Sequence, residues 1–200
     1  MTKNKIFLDV GAHTGETLAI ALEPKYCFDK LYCFEPVAEC CDAIRELSDK
    51  RVEVCEYGLW NENCTGKIYN PKSKSGSLFK EKFEVGALSR DVKLVRASDW
   101  FNQNIMMEDV VYLKLNCEGA ECAILDDLIK TDEYKKIDVL MVDFDVRKIS
   151  SQNHLMNEMK VRLNKLGIPK IFYVDEYNLA RGTHSYFTHF WLDDSEKFME

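Results

Sequence analysis

Three groups of residues have the types and spacing to do chemistry. The first is DVGAHTG, Asp9 to Gly15, which follows the apolar run KIFLDV and leads into the helix-like ETLAIALE. Gly11 and Gly15 let a backbone approach a ligand closely, and the start of the following helix can receive an anion. The pattern is not the dinucleotide fingerprint, because no third glycine has the required spacing. The second group is Glu35–Pro36, closing KLYCFEP 20 residues after Gly15. A carboxylate there can accept hydrogen bonds from two ribose hydroxyls and so complete a nucleoside site. The third is LKLNCEGAEC, Leu113 to Cys122. Lys114, Asn116 and Glu118 alternate with Leu115 and Cys117 and are predicted to share one side of a strand end. Burying three polar side chains is costly without a purpose. The structural alternative is an ion pair of Lys114 with Glu118 or Glu121 that orders the turn.

Weaker candidates surround these. Asp143 and Asp145 in VDFDV share a face, and with Asn116 they could offer oxygen ligands to Mg²⁺. Two acids at a strand end are more often solvated or capping groups. A divalent metal is therefore admitted but not favoured, and no residue is assigned as a metal ligand. His13 lies in the glycine loop. His184 and His189 flank an aromatic run that reads as a final strand, and a histidine there could serve as a base. Trp60, Trp100 and Trp191 read as core or interface residues.

The elements that would position these groups alternate between strand-like and helix-like. KIFLDV, KLYCFEP, RVEVCEYGLW, DVVYLKLNCEG and IDVLMVDFDV are apolar strands. Val37, Cys40, Cys41, Ile44 and Leu47 form a helical stripe, as do Leu155, Met156, Met159, Leu163 and Leu166. The polar stretch from Asn61 to Ser77 reads as a hairpin or excursion. KIFYVDE and YFTHFWL read as a closing hairpin. The pattern predicts an α/β fold, a mostly parallel sheet with helices on both faces and an antiparallel edge strand. Ligands in such sheets bind beyond the carboxyl ends of the strands. Function is thus expected at Asp9–Gly15, Glu35–Pro36, Gly58, Asn116–Glu121 and Asp143–Asp145.

Composition narrows the classes. The 200 residues suit one domain, 1–200, with 46% hydrophobic and 30% charged residues. The net charge of −7 argues against a nucleic-acid partner, which needs a basic face. No apolar run approaches the ~20 residues of a membrane helix, and the first residues do not read as a signal peptide. Eight cysteines include the adjacent Cys40 and Cys41 and no CxxC pair, which disfavours zinc and suggests reduced thiols in the cytoplasm.

FLDVGAHTGET, YCFEPVAECCDAI and YLKLNCEGAECAIL together resemble the successive signatures of the FkbM family of S-adenosylmethionine-dependent methyltransferases, in order, spacing and the E-G-A-E core. SKSGSLF resembles the small-residue segment that the family carries between its third and fourth strands. The resemblance covers most of residues 5 to 130, and beyond residue 145 only the general class I, Rossmann-like layout remains. It implies S-adenosyl-L-methionine as cofactor and O-methylation, often of a sugar or natural-product hydroxyl. By the same resemblance, Gly11 to Gly15 would line the methionine part and Glu35 would bind ribose. Asp9, Ala12, His13, Pro36 and Gly58 complete the expected cofactor set. Glu118 is the first candidate for the base that takes the acceptor proton and Asp143 the second, with Asn116 and Lys114 orienting the acceptor. The family usually has Asp where this chain has Asn116, and Asn takes no proton at neutral pH. A catalytically impaired cofactor-binding module is therefore one rival reading, and a nicotinamide oxidoreductase another. The expected acceptor is a deoxyhexose such as rhamnose or fucose in a glycan. The lid over it would come from Asn61–Asp99, from a further domain of a longer protein, or from a second subunit.

Overall fold

Short apolar strands separated by helices build the first half: β1 (Lys5–Val10), α1 (Glu16–Ala21), β2 (Lys30–Phe34), α2 (Ala38–Arg45) and β3 (Val52–Cys55). An excursion follows, with β4 (Gly58–Trp60), β5 (Cys64–Tyr69) and β6 (Ser89–Arg96). The second half comprises α3 (Ala97–Asn104), β7 (Val110–Leu115), α4 (Glu121–Lys130), β8 (Val139–Val142), α5 (Leu155–Leu163), β9 (Lys170–Tyr173), α6 (Val174–Arg181) and α7 (Thr188–Met199). The computed structural model describes residues 3–71, 73–82, 88–181 and 188–199.

The main sheet has the order β3-β2-β1-β7-β8-β9, and every pairing in it is parallel. The order reverses between β1 and β7, which makes the gap above those two strands the switch point where a ligand cleft forms. Period-two alternation sends successive residues to opposite faces. Ile6, Leu8 and Val10 of β1 and Val111, Leu113 and Leu115 of β7 join a core with Trp100 and Phe101 of α3 and Leu125 of α4. Phe7 and Tyr112 point the other way, into a core with Leu18 of α1, Ile44 of α2 and Trp191 of α7. Burial on both faces explains why these strands are apolar throughout rather than alternating.

Two expectations are corrected. RVEVCEYGLW is not one strand: β3 joins the main sheet, while β4 belongs to a second sheet of order β4-β6-β5. The antiparallel pairing lies there, between β5 and β6, and not at an edge of the main sheet. The closing hairpin is also absent among the described residues. β9 pairs parallel to β8, and Thr188–Met199 is a helix. The aromatic run in YFTHFWL suggested a strand by β-propensity, but Trp191, Leu192 and Ser195 are all buried, a helical spacing. Further contacts seat α7: Tyr26 Oη donates to Asp193 at 2.9 Å, and Lys5 Nζ lies 2.6 Å from Glu196. His184 lies outside the described residues, as does the side chain of His189. All eight cysteines are free thiols. Among the described residues, no helix is long and apolar enough to cross a membrane.

Candidate functional site

The carboxyl ends of β1, β2 and β7 open into a cleft, and the sequence dictates its floor. Gly11 has φ +79°, and a Cβ on it would sit 2.0 Å from the backbone oxygen of Asn116. What approaches the backbone at Gly11 is thus the turn after β7. The peptide N–H groups of Gly11 and Ala12 both donate to Phe34 O, at 3.0 and 3.2 Å. Gly15 has φ +88° and precedes α1.

Glu35 fastens this loop to the next one. Its Oε2 accepts from the His13 N–H at 3.0 Å and its Oε1 from the Val37 N–H at 2.9 Å. Each carboxylate oxygen therefore keeps lone-pair capacity for a ligand. Glu35 is 7% exposed, and burial pushes its carboxyl up to about 7 against those two hydrogen bonds. Glu35, Pro36, Val37, Gly58 and Leu59 line one lobe of the cleft, of about 680 Å³.

Lys114 is buried, and its position follows from register. Asp9 of β1 stands directly opposite it, and its Nζ lies 2.7 Å from Asp9 Oδ1 while donating to Gly11 O at 2.8 Å. The ion pair thus forms with Asp9, not with Glu118 or Glu121 as the alternative reading had it. Glu121 instead reaches back, and its Oε1 accepts the N–H groups of Cys117 and Gly119 at 3.0 and 3.1 Å.

Glu118 does not owe its place to strand parity. β7 ends at Leu115, and Glu118 sits in a left-handed turn at φ +57°. Its carboxylate contacts the Lys82 ammonium, and its peptide oxygen accepts from Ser77 Oγ at 2.5 Å. Burial, then the hydrogen bond with Asp145, push the Glu118 carboxyl up to about 7, with Lys82 opposing. Asp145 is the partner held low: Glu118 and Lys148 outweigh its burial. Asp143 is engaged by Arg147 at 2.7 Å, and Asp145 by Lys148 at 2.7 Å. Cations thus already neutralise the two acids considered for Mg²⁺. Among the described residues, no group of three or more His, Cys, Asp or Glu is placed to hold a metal ion.

A second lobe of about 1150 Å³ is lined by Thr17, Lys114, Asn116, Glu118, Asp143 and Lys148, among others. It shares Gly11, His13, Ser73, Lys74, Asn116 and Glu118 with the first. Pro71, Ser73, Lys74, Gly76 and Leu78 cover the first lobe, so the excursion between β5 and β6 supplies a wall. Lys74 reaches across to Glu16 at 2.9 Å. Sequence reasoning missed Ser77, Lys82, Arg147 and Lys148. SKSGSLF was the one signal available for Ser77. Lys82 had none, because the fold alone brings it to Glu118. Asn116 lines both lobes, and its buried Oδ1 has no hydrogen-bond partner among the described residues.

A parallel sheet of this order, with a glycine turn after β1 and an acid just after β2, is a Rossmann-like fold. The chain belongs to the FkbM methyltransferase family: the model described as "Methyltransferase FkbM domain" matches residues 9–167. Membership makes it a methyltransferase and implies S-adenosylmethionine as the methyl source. No curated protein and no solved structure matched the chain.

Proposed function

We propose that the protein is an O-methyltransferase acting on a sugar hydroxyl, with a deoxyhexose such as rhamnose or fucose as the preferred acceptor. The observation that carries the reading is the pair Asn116 and Glu118 at the junction of two lobes, one suited to a nucleoside and one lined mainly by polar side chains. Glu35 holds the ribose hydroxyls on its remaining lone pairs. Pro36, Val37, Gly58 and Leu59 flank the base, while Gly11, Ala12 and His13 line the methionine part. Asp9, buried in β1, and Gly15, at the start of α1, act by holding Lys114 and the turn rather than by touching the ligand. S-adenosylmethionine supplies an electrophilic methyl carbon whose bonding pair stays on sulfur. Glu118 takes the acceptor proton as the new O–C bond forms, and a carboxyl held near 7 suits a base at neutral pH. Asn116 orients the acceptor oxygen. Lys114 fixes the Gly11 carbonyl, and with it the loop. Asp143, bound to Arg147, is the weaker base candidate.

A second reading, a module that binds the cofactor without turnover, is favoured by Asn116 standing where relatives usually carry Asp. One pair of measurements separates the two. Calorimetry with S-adenosylhomocysteine tests the nucleoside lobe, and Glu35→Ala is expected to weaken binding by about 1.5–3 kcal/mol, the scale of hydrogen bonds to a charged group. Labelled S-adenosylmethionine with a panel of sugars and glycans, read by mass for one added CH₂, tests turnover. Binding without any methylated product would establish the module. Absence of nucleoside binding would remove both readings.

A further inference from the structure

The segment between β5 and β6 walls the first lobe with Pro71, Ser73, Lys74, Gly76 and Leu78. It is also fastened to the turn that carries Glu118. Tyr69 and Ser77 exchange backbone hydrogen bonds at 2.7 and 3.0 Å, which anchors the segment to β5. Ser77 Oγ donates to Glu118 O, and Phe79 packs against Gly119, where a Cβ would sit 3.0 Å from the ring. The short turn Lys80–Lys82 then brings the Lys82 ammonium onto the Glu118 carboxylate. The two side chains are 6% and 15% exposed, so salt and water screen this pair little.

An ion pair at such depth costs both charges their hydration, and apolar residues of the same size often serve stability as well. The chemistry of Glu118 gives the lysine a purpose. Burial and the hydrogen bond with Asp145 both favour the protonated acid, which takes no proton from an acceptor, and Lys82 opposes them. The other cations nearby face other anions. Lys148 lies 2.7 Å from Asp145, and Arg147 lies 2.7 Å from Asp143 and 3.2 Å from Asp145. Lys82 stands 3.9 Å from Asp145, so Glu118 is the acid it contacts. Across the polar lobe His13 and Lys74 pair with Glu16, and Lys114 with Asp9. Within its own turn Glu118 is flanked by Cys117 and by Glu121, whose Oε1 accepts two peptide N–H groups.

We propose that Lys82 is a positioning residue for the methyl transfer: through its contact with Glu118 it holds that carboxylate in place and ready to take the acceptor proton, from the same segment that walls the first lobe. The proposal rests on the reading of Glu118 as the base and adds the group that keeps it one. Glu118 stands at φ +57°, a conformation that a residue with a side chain keeps only where its surroundings impose it. The Ser77 hydroxyl fixes the peptide of that residue and Lys82 its carboxylate.

The test reads Glu118 directly and needs no acceptor. The full chain, labelled with ¹³C at the glutamate side-chain carboxyl and saturated with S-adenosylhomocysteine, is titrated by NMR, and Glu118→Gln and Glu35→Gln identify two of the signals. The Glu118 midpoint is expected at about 7. Lys82→Met should move it to about 8 or above, since an opposite charge in contact lowers a carboxylate by about 1–3 on the pH scale. Lys82→Arg, which keeps the charge, should leave it near the wild-type value. The Glu35 midpoint should stay in place in both variants, whereas a general loosening of the fold would move it too. If Lys82→Met does not fold, Lys82→Gln removes the charge and keeps a polar end, with the same shift expected. A Glu118 midpoint that stays fixed without the charge, or that moves as far in Lys82→Arg, overturns the proposal and leaves the methyltransfer reading standing. Full turnover surviving Glu118→Gln would overturn it as well, because Lys82 would then hold no base. If S-adenosylhomocysteine does not bind, the methyltransfer reading falls and this proposal falls with it.

Discussion

Lys114→Met is expected to destabilise the protein by about 3–5 kcal/mol, the usual cost of removing one partner of a buried ion pair. Asp9 is 0% exposed and Lys114 4%, so neither charge can turn to bulk water. The Lys114 ammonium also donates to Gly11 O, and methionine leaves that carbonyl without its partner. At about 2–4 °C per kcal/mol for a chain of this size, the melting temperature should fall by at least ~6 °C. Double substitution to Asp9→Asn with Lys114→Met should recover part of the loss, because no unpaired buried charge remains. Affinity for S-adenosylhomocysteine should fall as well, since the loop from Gly11 to Gly15 loses its tie to β7. A shift below 2 °C, measured by calorimetric melting, would mean that the cleft solvates the pair and that Lys114 has no structural duty.

That Gly11, His13, Glu35 and Pro36 meet in one cleft was legible because local rules govern them. A glycine turn after an apolar strand and an acid ending the next strand are set by residues that are neighbours in sequence or across one register pair. The sheet order then places them together at the switch point. Lys114 was recognised as unusual but was given the wrong partner. Asp9 meets it across β1 and β7, a pairing of 105 residues' separation that no sequence pattern encodes. Lys82 and Ser77 escaped for the same reason, as they reach Glu118 through the excursion between β5 and β6. The C-terminal helix was misread because aromatic content outweighed spacing. Its buried face depends on Phe7 and Phe172, residues far away in the chain.

Glu118→Gln should lower kcat by about 10²–10⁴-fold, the range for loss of a positioned base, with S-adenosylhomocysteine affinity nearly unchanged. Glutamine keeps the shape and retains an oxygen for Lys82 but takes no proton. The pH dependence gives a sharper signature than the rate alone. With Glu118 held up to about 7, only its ionised form accepts the acceptor proton, so kcat/KM should rise with pH through about 7 and then level. The variant's residual activity should lack that limb. Stability runs the other way. Glu35, Glu118 and Glu121 are each held up to about 7 from an ordinary 4.5, so the folded chain binds protons that the unfolded chain has released. Their contribution is fully present below pH 4.5 and is lost as the pH rises through about 7. Rates must therefore be taken well below the melting temperature at every pH, so that the activity limb is not confused with the stability limb. Asn116→Asp completes the test. Beside Glu118, a second carboxylate raises the proton affinity of one of the two, so an active wild type should lose a little rate and its pH limb should move upward. An inert wild type that gains turnover from Asn116→Asp would make residue 116 the position of the missing base. Full turnover surviving Glu118→Gln, with the limb intact, would instead transfer the role of base to Asp143.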